Sequence, residues 1–357
     1  MKEYDRWMKP PITFGTYPTL HDQGSRILLK LAALSFPVPS YQFDGPELVK
    51  HIKIIHHDTG NVKPNMHNVL KDLTEAGAKN GHISTINFRK NGPADHNPIE
   101  IVLKSIILSG GRYDSPAEGV NQLGALTIPA SKSGLGSIDL LPKQVKDCTE
   151  VVYELRNADN KKSNKNLVPF WASCLNPMGA ITGPHTDYSG SSQVIQHIEG
   201  RKIWLCWPPT PHNLDIYVRK HQSGYEETFS TEEAIDQLQD MELLLLDGKQ
   251  TCFTLPGGTI HAVLTLTPSC HAGLKVCRME DFEAAKRMYE IQSGIMDQRE
   301  RLDKSTFEFC KEFFENLGEE LKQWDELRKK NLDNWKVNEE IRLWILDCQE
   351  RIKRYKF

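Results

Sequence analysis

Asn176-Pro-Met-Gly-Ala-Ile-Thr-Gly-Pro-His185-Thr-Asp187-Tyr188 decides how this chain reads, and Leu255-Pro-Gly-Gly-Thr-Ile-His261-Ala-Val263 completes it. In an extended strand, residues i and i+2 point to the same face. His185 and Asp187 can therefore offer an imidazole and a carboxylate to one metal ion. In the second stretch a tight glycine turn delivers His261 at the start of an apolar run. A lone His-x-Asp is common by chance. A His-x-Asp followed by a later His on a glycine turn is much less so.

Two histidines and one carboxylate make the facial triad of non-haem Fe(II) sites, which leaves three coordination positions open. A third stretch belongs with them: Glu199-Gly-Arg-Lys202-Ile-Trp-Leu-Cys-Trp-Pro208-Pro209. Gly200 breaks one strand, Lys202 opens the next, and the two prolines end it. A lysine pointing from a strand into a barrel is costly unless it meets an anion. A bound dicarboxylate supplies one, and the Thr182 hydroxyl can donate to the same carboxylate. Strand alternation puts Trp204 on the face of Lys202 and Trp207 on the other.

Outward from these motifs, residues 121–278 read as β. Short β-branched runs lie between Gly, Pro, Asn and Asp clusters at Leu123–Ile128, Phe170–Leu175, Ser192–Ile198, Lys202–Trp207, Thr251–Leu255, Ala262–Thr267 and Gly273–Cys277. Many short strands of this kind suggest a sandwich or barrel. Residues 1–120 read as a mainly helical part packing on that core, with helical spacing at Pro46–Ile55, Asn65–Ala78 and Pro98–Leu108, and an apolar patch at Ile27–Leu34. Residues 279–357 read as helical again. Phe307, Cys310, Phe314, Leu317, Leu321 and Trp324 form one seam, and Ile341, Trp344, Ile345, Cys348 and Ile352 another. Packing on the β core is the plain reading of these seams, and a homodimer through the C-terminal helices is the alternative.

Lys plus Arg number 44 against 47 for Asp plus Glu, a net charge of −3, which argues against direct nucleic-acid binding by bulk charge. No apolar run nears the roughly 18 residues of a membrane span, and the charged N-terminus has no signal-peptide core. The expectation is an intracellular chain, nuclear or cytoplasmic, that does not engage a membrane. The basic stretch at 156–166 is a weak nuclear-localisation signal. Cys206 and Cys252 sit in apolar runs and read as small core residues. Of thirteen histidines, His185 and His261 are the ones with a chemical context for iron.

The three stretches, in this order, resemble the Jumonji C (JmjC) family of Fe(II)- and 2-oxoglutarate-dependent oxygenases over about residues 167–278. The resemblance implies an α+β fold with a double-stranded β-helix (jelly-roll, cupin-like) core. It implies His185, Asp187 and His261 as iron ligands, and Lys202 and Thr182 as 2-oxoglutarate binders, with O2 as the second cosubstrate. Many related oxygenases anchor 2-oxoglutarate with an Arg on the strand after the second ligand His. Here that position is His271, which leaves Lys202 as the available anchor. The sequence departs from the family where a cosubstrate-binding Tyr is usual: Leu126-Thr-Ile-Pro-Ala-Ser-Lys-Ser133 has none. A family Asn between the Asp and the Lys falls near Gln193, which can substitute as a donor.

The expected activity is hydroxylation of a protein side chain, or demethylation of methyl-lysine by hydroxylation, on a protein or peptide such as a histone tail. The alternatives are a non-catalytic Jumonji-fold interaction module in chromatin, or an oxygenase acting on RNA or a small molecule. Retention of all three metal ligands favours the enzyme.

Overall fold

The computed structural model describes residues 18–34, 52–55, 65–87, 95–103, 123–129, 152–153, 155–157, 167–169, 171–187, 190–222, 229–247, 251–297, 300, 304–331 and 334–355. Tyr188 and residues 158–166 of the basic stretch lie outside them.

In chain order the strands are β1 (Lys53–Ile55), β2 (His82–Asn87), β3 (Asp95–Pro98), β4 (Leu123–Pro129), β5 (Val152–Tyr153), β6 (Leu155–Asn157), β7 (Leu167–Pro169), β8 (Trp171–Asn176), β9 (Ile181–His185), β10 (Ser192–Glu199), β11 (Arg201–Trp207), β12 (Glu242–Asp247), β13 (Thr251–Leu255), β14 (Ile260–Thr265) and β15 (Ser269–Cys277). Among the described residues the larger sheet runs β1-β13-β10-β15-β8-β4-β2-β3, with β5 on β15, and the smaller runs β12-β11-β14-β9. The pairings are antiparallel. From β8 to β15 the chain passes back and forth between the two sheets. Their inner faces meet in one apolar cluster: Ile195, Phe253 and Leu255 from the larger sheet, Trp204, Leu244 and Val263 from the smaller.

Each outer face is covered by helices, which is why the strands are apolar on both sides. Helix α1 (Pro18–Ala33) buries Ile27, Leu28 and Leu31 in the same cluster as Ile203, Leu205 and Leu264 of the smaller sheet. Helix α2 (Met66–Asn80) packs Val69 and Leu73 with Val194, Leu274 and Val276 of the larger sheet. Its start is set by the Asn65 side chain, which accepts from Asn68 N–H at 3.0 Å, and its end by Gly81 at φ 75°. Between β11 and β12 come α3 (Pro211–Gln222) and α4 (Thr231–Gln237). After β15 come α5 (Phe282–Met296), α6 (Lys304–Lys330) and α7 (Trp335–Tyr355). Both C-terminal seams join the core: Cys310, Phe314, Leu317, Leu321 and Trp324 cluster with Ile341, Trp344, Ile345 and Cys348. Cys206 and Cys252 are buried as expected.

Three local readings need correction. The helix expected over Pro46–Ile55 is strand at its described end, β1 (Lys53–Ile55), which pairs with β13, and positions 46–51 lie outside the described residues. Ile-Lys-Ile-Ile fits either period, and the free edge of β13 decides. Within the N-terminal part read as mainly helical, β2 and β3 extend the larger sheet through β4. The helix expected from Pro98 is helical at 99–103, but Pro98 itself ends β3. β12 was not expected, because four consecutive leucines, buried on both faces, carry no periodicity. Among the described residues no helix is long and apolar enough to cross a membrane.

Candidate metal and carboxylate site

His185 is the last residue of β9, and the register sets it opposite His261 on β14. Thr182 pairs with Val263, so three steps along β9 match two along β14. That bulge brings Thr182 and His185 to one face, which simple alternation forbids. Asp187 lies just past the strand end, so its approach to His185 comes from the loop and not from strand alternation.

The ligand atoms of His185, Asp187 and His261 lie within 4.8 Å of one another. The two imidazole centroids are 4.1 Å apart, and Asp187 Oδ2 is 3.7 Å from His261 Nε2. His185 Nδ1–H donates to the Gly183 carbonyl at 2.9 Å, and His261 Nδ1–H to the Thr259 carbonyl at 3.2 Å. Both bonds fix the tautomer that leaves Nε2 as a lone-pair donor, the usual outer support of a metal-binding His. Burial pushes His261 down to about 4, and His185 adds to this while Asp187 opposes it. A neutral imidazole is the form that binds metal. The Trp204 ring stacks on His261, 5.4 Å between centroids and 19° between planes. This donor set of two imidazoles and a carboxylate can hold a metal ion.

Two buried groups outside the triad brace it. The Tyr217 hydroxyl on α3 accepts Thr186 N–H at 3.2 Å, between His185 and Asp187. Asp281 accepts Gly257 N–H at 3.1 Å and the Ser192 hydroxyl at 2.8 Å, and it pairs with Arg278. This tethers the turn that carries His261. The turn also needs its glycines: Gly258 has φ 71°, and a Cβ on Gly257 would stand 2.0 Å from the Gly190 carbonyl. Neither Tyr217 nor Asp281 is near its target in sequence, so no motif announces them.

At the other end of the inner face stands Lys202, 1% exposed. Its register partner is Thr265, at the opposite end of β14 from His261. Its Nζ–H groups donate to Asn176 Oδ1 at 2.8 Å and His271 Nδ1 at 2.9 Å. Both partners are uncharged, and burial lowers Lys202 to about 8. Thr182 lies between the two ends, opposite Val263. Gln193 is not brought to Lys202. It pairs with Leu255 beside the glycine turn, whereas His271, which holds Lys202, pairs with His197, roughly 13 Å further along β10 at the usual strand rise.

Exposure alternates along the inner walls. On β15, His271, Gly273 and Lys275 are half-buried between buried neighbours. Thr182, His185, Asp187, Cys174 and Gln193 are half-buried too. Residues facing between two packed sheets keep accessible surface only where they line a cavity. His261 and Lys202, almost fully buried, close the two ends of the chamber that these half-buried residues line.

No protein-family model matches the chain. Among curated proteins it is similar to "Lysine-specific demethylase 2B" of Mus musculus, 30% identical over 133 residues, which is 37% of this chain and 10% of that protein. It is similar to "JmjC domain-containing histone demethylation protein 1" of Candida glabrata, 26% identical over 153 residues, covering 42% of this chain and 37% of the relative. The protein of that same name from Saccharomyces cerevisiae is 32% identical over 113 residues, covering 32% and 22%. The matches therefore span well under half of each of these relatives.

Proposed function

We propose that this chain, a relative of the JmjC domain-containing histone demethylases, is an Fe(II)- and 2-oxoglutarate-dependent dioxygenase. It hydroxylates a protein side chain, or removes a methyl group from methyl-lysine by hydroxylating it. A protein or peptide is the substrate, with a histone tail the first candidate. The observation that carries this reading is one inner face with three convergent metal ligands at one end and, at the other, a buried ammonium whose partners among the described residues are both neutral.

The strand order supports reading β8 to β15 as a double-stranded β-helix, four strands in each sheet. On this reading residues 121–278 are the catalytic core, with 1–120 and 279–357 packed around it. A nuclear or cytoplasmic location is part of the proposal, the nucleus being where a histone substrate would be met.

Bound iron with 2-oxoglutarate and O2 would supply oxidation of an unactivated C–H bond, the cosubstrate leaving as succinate and CO2; hydroxylation on an N-methyl group releases formaldehyde. This chain's residues hold and orient those groups. His185 and His261 donate through Nε2, and Asp187 contributes the carboxylate. Lys202 and Thr182 take the far carboxylate of 2-oxoglutarate. Trp204 fixes the plane of the His261 ring and, with Val263 and Phe253, keeps the chamber floor apolar. Water excluded by such a wall cannot quench a reactive intermediate.

The test incubates the iron-loaded protein, 2-oxoglutarate and air with methylated histone peptides and with a cell-extract peptide pool. Gain of one oxygen atom on a peptide indicates hydroxylation, and loss of one methyl indicates demethylation. Failure of the iron-loaded protein to bind 2-oxoglutarate overturns the reading.

A further inference from the structure

Lys202 is held by a socket that faces it from three strands. Asn176 closes β8, His271 lies on β15, and His197 on β10 is the register partner of His271. His197 Nε2–H donates to the Gly200 carbonyl at 3.0 Å, and its Nδ1 is buried with no partner among the described residues. Burial keeps His197 and His271 well below the usual imidazole range. Both rings are thus neutral beside the ammonium.

An ammonium has three N–H donors. Asn176 Oδ1 occupies one, and His271 Nδ1, which must be an acceptor to meet Lys202, occupies a second. We propose that His271, with Asn176, is a positioning residue for the carboxylate of 2-oxoglutarate: by fixing two N–H bonds of Lys202 it aims the third into the chamber. The argument rests on the dioxygenase reading above and deepens it. His271 stands where a strand arginine would otherwise bind the carboxylate directly. Here the strand contributes a neutral acceptor, and the charge comes from the opposite sheet. Neutrality is essential to the arrangement. An acid in place of either acceptor would satisfy the ammonium, and a charged imidazole would repel it.

The test measures 2-oxoglutarate binding to the Mn(II)-loaded protein by titration calorimetry, with Mn(II) binding and thermal unfolding of the metal-free protein followed separately. His271→Leu removes the acceptor and is expected to weaken 2-oxoglutarate binding about tenfold, the scale of one hydrogen bond to a charged group, with Mn(II) binding unchanged. His271→Gln keeps an acceptor and is expected to restore most of the affinity. Asn176→Asp puts an anion in the socket. It is expected to raise the unfolding temperature of the metal-free protein while abolishing 2-oxoglutarate binding, a pairing of effects that mere loss of packing does not produce. Equal binding by wild type and His271→Leu overturns the role of His271, as does an Asn176→Asp protein that binds normally. Absence of binding by the wild type overturns the dioxygenase reading itself.

Discussion

The backbone N–H of Thr186 donates to the Tyr217 hydroxyl at 3.2 Å, so a helix between β11 and β12 holds the residue between two metal ligands. Tyr217 is 5% exposed and packs in the large core cluster. Tyr217→Phe keeps the ring and deletes the acceptor. The expected loss is about 1 kcal/mol, seen as a several-fold weaker metal affinity in a competition titration. The unfolding temperature of the metal-free protein should drop only slightly. An unchanged metal affinity would show that Thr186 N–H finds another acceptor at no cost.

Asp281 acts on the other half of the triad. Replacing it with Ala leaves the buried Gly257 N–H and Ser192 hydroxyl without their acceptor, while Arg278 keeps its ion pair with Glu280 and its bond to Ser192. Leaving buried donors unsatisfied in this way typically costs about 1–3 kcal/mol. Chemical denaturation of Asp281→Ala should show that loss, together with weaker metal binding, because the glycine turn that presents His261 loses its tether. Asp281→Asn, which keeps one acceptor oxygen, should lose less.

Metal binding should be the main consequence of Asp187. Its side chain is 31% exposed, and its nearest ionic partner is a neutral, buried His261. Asp187→Asn is therefore expected to leave the metal-free protein as stable as wild type. Wild type should gain stability as Mn(II) or Fe(II) rises above its dissociation constant, by about 2.7 kcal/mol at a hundredfold excess. Asp187→Asn should gain far less in the same melts.

Buried bases set a pH dependence in two windows. Lys202, faced by Asn176, His271, His197, Cys174 and Cys270, is lowered by burial from 10.5 to about 8. Between those values the unfolded chain carries a proton that the folded chain has released. Stability of the metal-free protein should therefore rise with pH across that window, by at most roughly 3 kcal/mol. Cosubstrate binding should run the other way, weakening above pH 8 as Lys202 loses its charge. His197, lowered from 6.5 to about 4 chiefly by burial, makes the folded chain lose stability as pH falls through that lower window, and the buried His261 and His271 act in the same direction. Melts from pH 4 to 10, with Lys202→Met and His197→Gln as controls, separate the two.

The triad was legible because each half is a short local pattern, His-x-Asp and Pro-Gly-Gly-Thr-Ile-His, and because a carboxylate and two imidazoles have few other uses together. Lys202 was legible for the same reason, since a lysine amid apolar strand residues needs an explanation. What surrounds it was not. Lys202 meets Asn176 across 26 residues and His271 across 69, and only the sheet register brings them together. The bulge that turns His185 inward is equally silent, because it arises from a mismatch between two strands and not from either one. The place of Gln193 at the metal end of β10, opposite Leu255, is likewise a matter of register and not of sequence pattern. β1 was misread because three residues of Ile and Lys hold too little period to separate helix from strand, and the edge of β13 supplied the missing information.

Gly273 leaves a gap in the chamber wall between His271 and Lys275. A Cβ there would meet only Gln193 Oε1, at an unstrained 3.5 Å. The protein has thus left volume unfilled where a small apolar side chain fits without clash. On the proposed function, that gap is room for a bound cosubstrate, and stability alone would favour closing it. Laboratory evolution under heat, with no demand for activity, should therefore enrich larger residues at position 273.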